Sequence, residues 1–256
     1  MIYQNIVDSA RRYCMERSKE FEHRYETSRA GIYSYRCLVM DKLLYWVETA
    51  IDADFDSAAE CTQTLTSFVN RLQSDDVNHT PNALMRKIID DEKKRFVEFV
   101  LSLDETCPTP DLPYNRTVIG EEKENIEKEL ADKWDYVRTW YWDPLCNATE
   151  KETLFLMEWH VRSYFEAIAT RLQKTHPLVF RYGEGIDGRD SPYCAQTSVM
   201  DLSFSGRETV YFDQELTWII YLSHEQTITF AGSILPIIKS LLAKERDQWN
   251  RYWDIP

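Results

Sequence analysis

The sequence predicts an α+β protein. A mostly helical N-terminal half is followed by helices packed on an antiparallel β-meander of four to five strands, closed by a C-terminal helix. Three observations carry this. Apolar residues recur every three or four positions through the first hundred residues and again between 119 and 174. Beyond Pro177 the period changes to alternation. The links between the last alternating segments, around SGR, DQE and SHEQ, are short. Short links join antiparallel strands, because parallel ones need long crossovers.

At the N-terminus Ile2, Ile6, Ala10, Tyr13 and Phe21 keep one helical face. A second helix spans 30–51, carrying Ile32, Tyr35, Val39, Leu43, Trp46 and Val47. A third spans 56–73, carrying Ala58, Cys61, Leu65, Phe68 and Leu72, with Asp56 as its cap. A fourth begins near Thr80-Pro81, a cap followed by proline at the first helical position, and carries Leu84, Ile88, Phe96, Phe99 and Leu103. The stretch DETCPTPDLPYN then places prolines at 108, 110 and 113, which no helix interior accommodates. Residues 1–106 therefore read as a helical region, 107–117 as a proline-rich connector, and 118–256 as an α+β region, separate from the first or continuous with it.

Helix returns over 119–142, with Ile126, Leu130, Trp134, Val137 and Tyr141 on its stripe. Residues 119–135 hold seven acids and three lysines, a solvated face. A further helix is expected over 149–174. Thr149 and Glu152 would form its capping box, and Leu154, Met157, Val161, Phe165, Ile168 and Leu172 its core stripe. Strands follow at 178–182, 198–204, 208–212, 216–223 and 227–231, then a helix from Ser233 with Pro236 in its first turn. Alternation puts Met200, Leu202, Phe204, Val210, Phe212, Ile228 and Phe230 on an apolar face. Asp201, Ser203, Thr209, Tyr211, Thr227 and Thr229 take a polar one. The strand WIIYL breaks this rule, because Ile219 and Tyr221 point to the polar side. It reads as a central strand whose outer face is covered by a helix, a C-terminal segment or another molecule.

Charge narrows the function classes. With 43 acidic and 30 basic residues the net charge is −13, which repels a nucleic-acid polyanion and attracts a basic partner. Six cysteines, at 14, 37, 61, 107, 146 and 194, form no C-x-x-C pair. The N-terminus lacks a signal-peptide apolar region, and no 18-residue apolar run could span a bilayer. A cytoplasmic protein with reduced thiols and no membrane partner is expected.

The stretch GEGIDG, 183–188, matches the G-x-G-x-x-G spacing of dinucleotide loops. A phosphate cradle also needs a helix opening at the loop, and RDSPYCAQTS offers none. A turn or close backbone approach explains the glycines better, and no cofactor is expected. Asp187 and Asp190 are minor candidates for a hard cation, at a spacing that matches no calcium loop.

The five histidines form no metal or protease motif. His224-Glu225 suggests acid–base chemistry, although its place between WIIYLS and QTITF favours a hairpin turn. In EWH, Glu158 and His160 lie two apart and diverge on a helix, so Glu158 pairs more naturally with Arg162. His160 then sits on the flank of the core stripe.

An acidic, tyrosine-bearing sheet face built from Asp201, Tyr211, Asp213, Glu215 and Tyr221 would suit a basic protein partner. The expectation is a non-enzymatic acidic binding protein, of the inhibitor or immunity type. The alternative is an enzyme without a standard motif, using His224 or His160 with an acid in a helix–sheet pocket.

Overall fold

A computed structural model describes residues 3–72, 82–137, 152–183, 191–197 and 208–251. The chain divides into two compact units, Met1–Leu112 and Pro113–Pro256.

The first unit packs four helices: α1 (Gln4–Ser28), α2 (Gly31–Glu48), α3 (Ala58–Arg71) and α4 (Ala83–Leu101). Their interior repeats the three-and-four spacing of the sequence. Helices α1 and α2 pack together, and Ile6, Ala10 and Cys14 of α1, Val39, Leu43 and Val47 of α2, Leu65 and Phe68 of α3 and Ile88, Phe96 and Val100 of α4 are all buried. The helix starts differ in detail from expectation. The cap of α3 is Ser57, whose Oγ accepts the Glu60 N–H at 3.1 Å, while the Glu60 carboxylate accepts the Asp56 N–H at 2.7 Å. Helix α4 is capped by Asn82, which accepts the Met85 N–H at 3.0 Å; Thr80 and Pro81 lie outside the described residues. Two charged features sit inside the bundle. Arg11 and Glu48 pair at 3.2 Å with both side chains buried, and Glu92 is fully buried among arginines.

The second unit is a seven-stranded, wholly antiparallel sheet with helices on both faces. Its elements are β1 (Asn115–Thr117), α5 (Gly120–Trp134), β2 (Thr153–Met157), α6 (Glu158–Val161), a 3-10 turn (Arg162–Tyr164), α7 (Phe165–Thr175), β3 (Leu178–Gly183), β4 (Tyr193–Gln196), β5 (Thr209–Phe212), β6 (Trp218–Leu222), β7 (Thr227–Gly232), α8 (Leu235–Leu241) and a closing 3-10 turn (Ala243–Gln248). The spatial order is β1-β4-β3-β5-β6-β7-β2. The central meander β5-β6-β7 is as expected, and Pro236 does sit in the first turn of α8.

The sheet is larger than expected, and three of its strands, β1, β2 and β4, were not foreseen. β1 takes the last three residues of the proline-rich connector. β2 occupies 153–157, where a helix was expected. The sequence TLFLM pairs with β7 from Thr153 opposite Ala231 to Met157 opposite Thr227, and four of its five residues are buried. A strand buried on both sides is a continuous apolar run, and periodicity alone does not separate that from a buried helix. Helical structure begins only at Glu158. The strand expected at 198–204 lies outside the described residues; β4 precedes it.

Cross-strand register decides the faces. Arg181, Tyr211, Ile220, Phe230 and Leu154 line up across one face. Phe180, Phe212, Ile219 and Ala231 line up across the other. Val210 and Phe212 therefore oppose Ile228 and Phe230 instead of joining them, and the meander has no polar face. The first face is covered by Val161, Ile168 and Leu172 from α6 and α7 and by Leu235 and Ile238 from α8. The second is covered by Leu130 and Trp134 of α5, with Tyr136 and Val118. Helix α5 is thus what covers Ile219 and Tyr221. Its Trp134 donates Nε1–H to the Leu216 carbonyl at 3.2 Å, and the ring fits because residue 232 is glycine: at φ +81 a Cβ there would lie 2.8 Å from the ring edge.

Gly183 has a similar explanation. A Cβ on it would collide with the Glu208 carbonyl and the Thr209 backbone, so this glycine serves the β3–β5 approach. Since β3 and β4 run antiparallel, the parallel β-α-β unit that a dinucleotide loop needs is not formed here.

Candidate functional site

The residues expected to form a binding face do not share one. Tyr211 and Tyr221 are each 1% exposed and lie on opposite sides of the sheet, Tyr211 under α7 and α8 and Tyr221 under α5. Tyr221 packs edge-on to Tyr136 at 5.9 Å. Asp213 is buried and closes the β5–β6 turn, its carboxylate accepting the Thr217 N–H at 2.7 Å and the Thr217 hydroxyl. Only Glu215, at the tip of that turn, is exposed. Asp201, Asp187 and Asp190 lie outside the described residues. The physical reason is coverage: α7 and α8 seal the face that carries Tyr211, and α5 seals the face that carries Tyr221.

That same helix builds an acidic surface. Ile126, Leu130 and Trp134 face the sheet at helical spacing, so the remaining positions turn outward. Glu121, Glu124, Lys128, Glu129, Asp132 and Lys133 are exposed along about 20 Å of helix. The basic side chains here are each matched to an acid. Lys128 pairs with Asp132 at 2.6 Å, Lys133 with Glu129 at 3.0 Å, and Lys123 with Glu127 at 3.8 Å. Arg116 grips Glu122 with both Nη atoms, at 2.6 and 2.7 Å. This fork raises the arginine's pKa and holds the Glu122 carboxyl below its usual 4.5. Glu121, Glu124 and Asp135 are left with no cation among the described residues. Lys133 also donates to the Glu215 carbonyl at 3.0 Å, which places the β5–β6 turn beside the end of α5. The arrangement is an acidic ridge with surplus negative charge, extended by Glu215.

The histidines find acids, though not the ones next to them in sequence. His224 is exposed at the turn after β6, and its Nδ1 contacts Glu208 Oε1. That oxygen also accepts the His224 N–H at 3.1 Å and the Ser223 hydroxyl at 3.2 Å. Glu225 takes no part; its N–H donates to Ser223 Oγ at 3.2 Å inside the turn. Glu208 was not foreseen as a site residue. The hairpin register contains the signal, because Thr209 opposite Leu222 brings residue 208 next to 223. His160 Nδ1 lies 3.4 Å from Glu245 Oε2, and the Tyr164 hydroxyl donates to Glu245 Oε1 at 3.2 Å. Glu158 pairs with Arg162 at 2.7 Å, as its spacing implied.

Other nucleophile and metal arrangements are weaker. Burial pushes up the thiol pKa of Cys14, where Glu48 and Asp41 add to it, and that of Cys61 to about 12, so neither is a thiolate at neutral pH. Among the described residues no three His, Cys, Asp or Glu side chains converge to hold a metal, and no helix is long and apolar enough to cross a membrane. No family model, curated protein or solved structure matches the chain.

Proposed function

We propose that this is a non-enzymatic binding protein that docks the outer face of α5, with Glu215, onto a basic protein partner. An inhibitor or immunity-type protein, which covers a cationic surface of its target, is the version of this reading that fits the charge best. The observation that carries it is the surplus of carboxylates on α5 after Arg116, Lys123, Lys128 and Lys133, the cations beside it among the described residues, have each been paired. A helix pinned by Leu130 and Trp134 presents those charges without an ordering cost, and like-signed fields of this kind raise association rates.

The test is a pull-down with the full chain against the triple variant Glu121→Lys, Glu124→Lys, Glu215→Lys, with mass-spectrometric identification of what is retained. A basic protein held by the wild type, released by salt and lost from the variant is the expected result. Equal retention by both would refute it.

A second reading rests on Glu208 and His224. A carboxylate fixing an imidazole through Nδ1 is the geometry of a general base, with Ser223 alongside. It predicts hydrolysis of an activated ester such as p-nitrophenyl acetate above the buffer rate, falling at least tenfold in both His224→Gln and Glu208→Gln. Rates equal in wild type and variants would exclude it.

A further inference from the structure

The first unit carries a cluster of arginines that the acidic-ridge reading does not use. Arg17 and Arg24 lie on α1, Arg36 on α2 and Arg95 on α4. Three of them converge on the fully buried carboxylate of Glu92. Arg36 and Arg95 share its Oε1, Arg95 at 3.0 Å, and Arg17 Nη2 stands 3.5 Å from its Oε2. Arg17 and Arg24 share Glu20, at 2.6 and 2.7 Å. Four guanidiniums are thus paired with two carboxylates. Asp91 adds only a longer-range attraction on Arg36, whose pKa is lowered by burial and by repulsion from Arg95 and Arg17.

Three of the four guanidiniums lie against aromatic rings. Arg17 lies 4.3 Å and Arg36 5.6 Å from the centre of the Phe21 ring, and Arg24 lies 5.7 Å from Tyr33, which stacks on Phe21. The hydrogen-bond accounting is also incomplete. Arg17 Nε is buried with no acceptor, and Glu92 Oε2 is buried with no donor in hydrogen-bond geometry. Arg24 and Arg95 are about half exposed, so donors of the cluster reach solvent.

We propose that Arg17, Arg24, Arg36 and Arg95 form a binding site for a phosphate dianion, either free or as the monoester of a small molecule. Excess guanidinium charge on fixed, planar forks matches a tetrahedral dianion with several acceptor oxygens, and arginine recognises phosphate in that forked geometry. The net charge of −13 does not prevent this, since screening confines its repulsion to about 8 Å at physiological salt and four guanidiniums here pair with two carboxylates.

Thermal melts of the full chain, titrated with inorganic phosphate or with O-phosphoserine at constant ionic strength against sodium chloride, test the site. A saturable rise in Tm is expected, because a ligand that binds only the folded state stabilises it by mass action. The arm with the lower half-saturating concentration identifies the source of the phosphate. Arg95→Gln and Arg24→Gln change half-exposed side chains, so both variants keep the helical bundle, checked by circular dichroism. Each should raise the half-saturating concentration at least tenfold. No saturable rise beyond the chloride control, or an unchanged response in both variants, would overturn the proposal.

Discussion

Glu122 shows how a single side chain ties charge to stability in the second unit. Arg116 holds its carboxyl below 4.5, and the arginine itself stays protonated throughout the accessible range. A carboxyl with a depressed folded-state pKa contributes stability that is complete above its unfolded value and disappears as the pH falls through the folded one. The Tm of wild type should therefore exceed that of Glu122→Gln by a nearly constant amount well above pH 4.5, and the gap should close as the pH falls below 4.5 and through the depressed folded-state pKa. A gap that persists at acid pH would show that the pair acts through packing instead. Residue-scale expectations fared unevenly for a physical reason. Glu158–Arg162 was legible because both partners lie on one turn of chain. Glu208–His224 was not, because its partners meet only after β5 and β6 have paired.

At the scale of elements, α5 determines what the sheet can do. It buries Ile219 and Tyr221 and turns its own carboxylates outward, so one helix both closes a core and creates a surface. Trp134 is the anchor, 3% exposed and bonded to the Leu216 carbonyl. Trp134→Ala should cost about 3–5 kcal/mol in urea unfolding, the range for truncating a large buried aromatic. A loss below about 1 kcal/mol would mean that α5 is not seated on the sheet. The meander β5-β6-β7 and the period of α5 as far as Trp134 could be read directly; the expected continuation through Val137 could not, because Asp135 turns left-handed and ends the helix. The face assignment could not. With Val210 and Phe212 on one side and Ile228 and Phe230 on the other, alternation within each strand was correct, but the strands had been aligned to the wrong common face. Register is a pairwise property that single-strand patterns do not contain. β2 escaped for the related reason that burial on both sides erases alternation.

At the scale of the molecule, the distribution of charge matters more than its sum. Exposed acids occur in both units, and a net −13 alone would attract any cation. The narrower proposal is that the ridge on α5 is the docking surface. Charge reversal at two places separates these possibilities. Glu121→Lys, Glu124→Lys, Glu215→Lys and the control Glu16→Lys, Glu26→Lys, Glu98→Lys change net charge equally, and all six positions are exposed. The decisive measurement is the affinity of each triple variant for the basic protein that the wild-type chain retains, by titration calorimetry at 150 mM salt. The account predicts at least a hundredfold loss for the ridge variant and less than threefold for the control; equal losses in the two would contradict it.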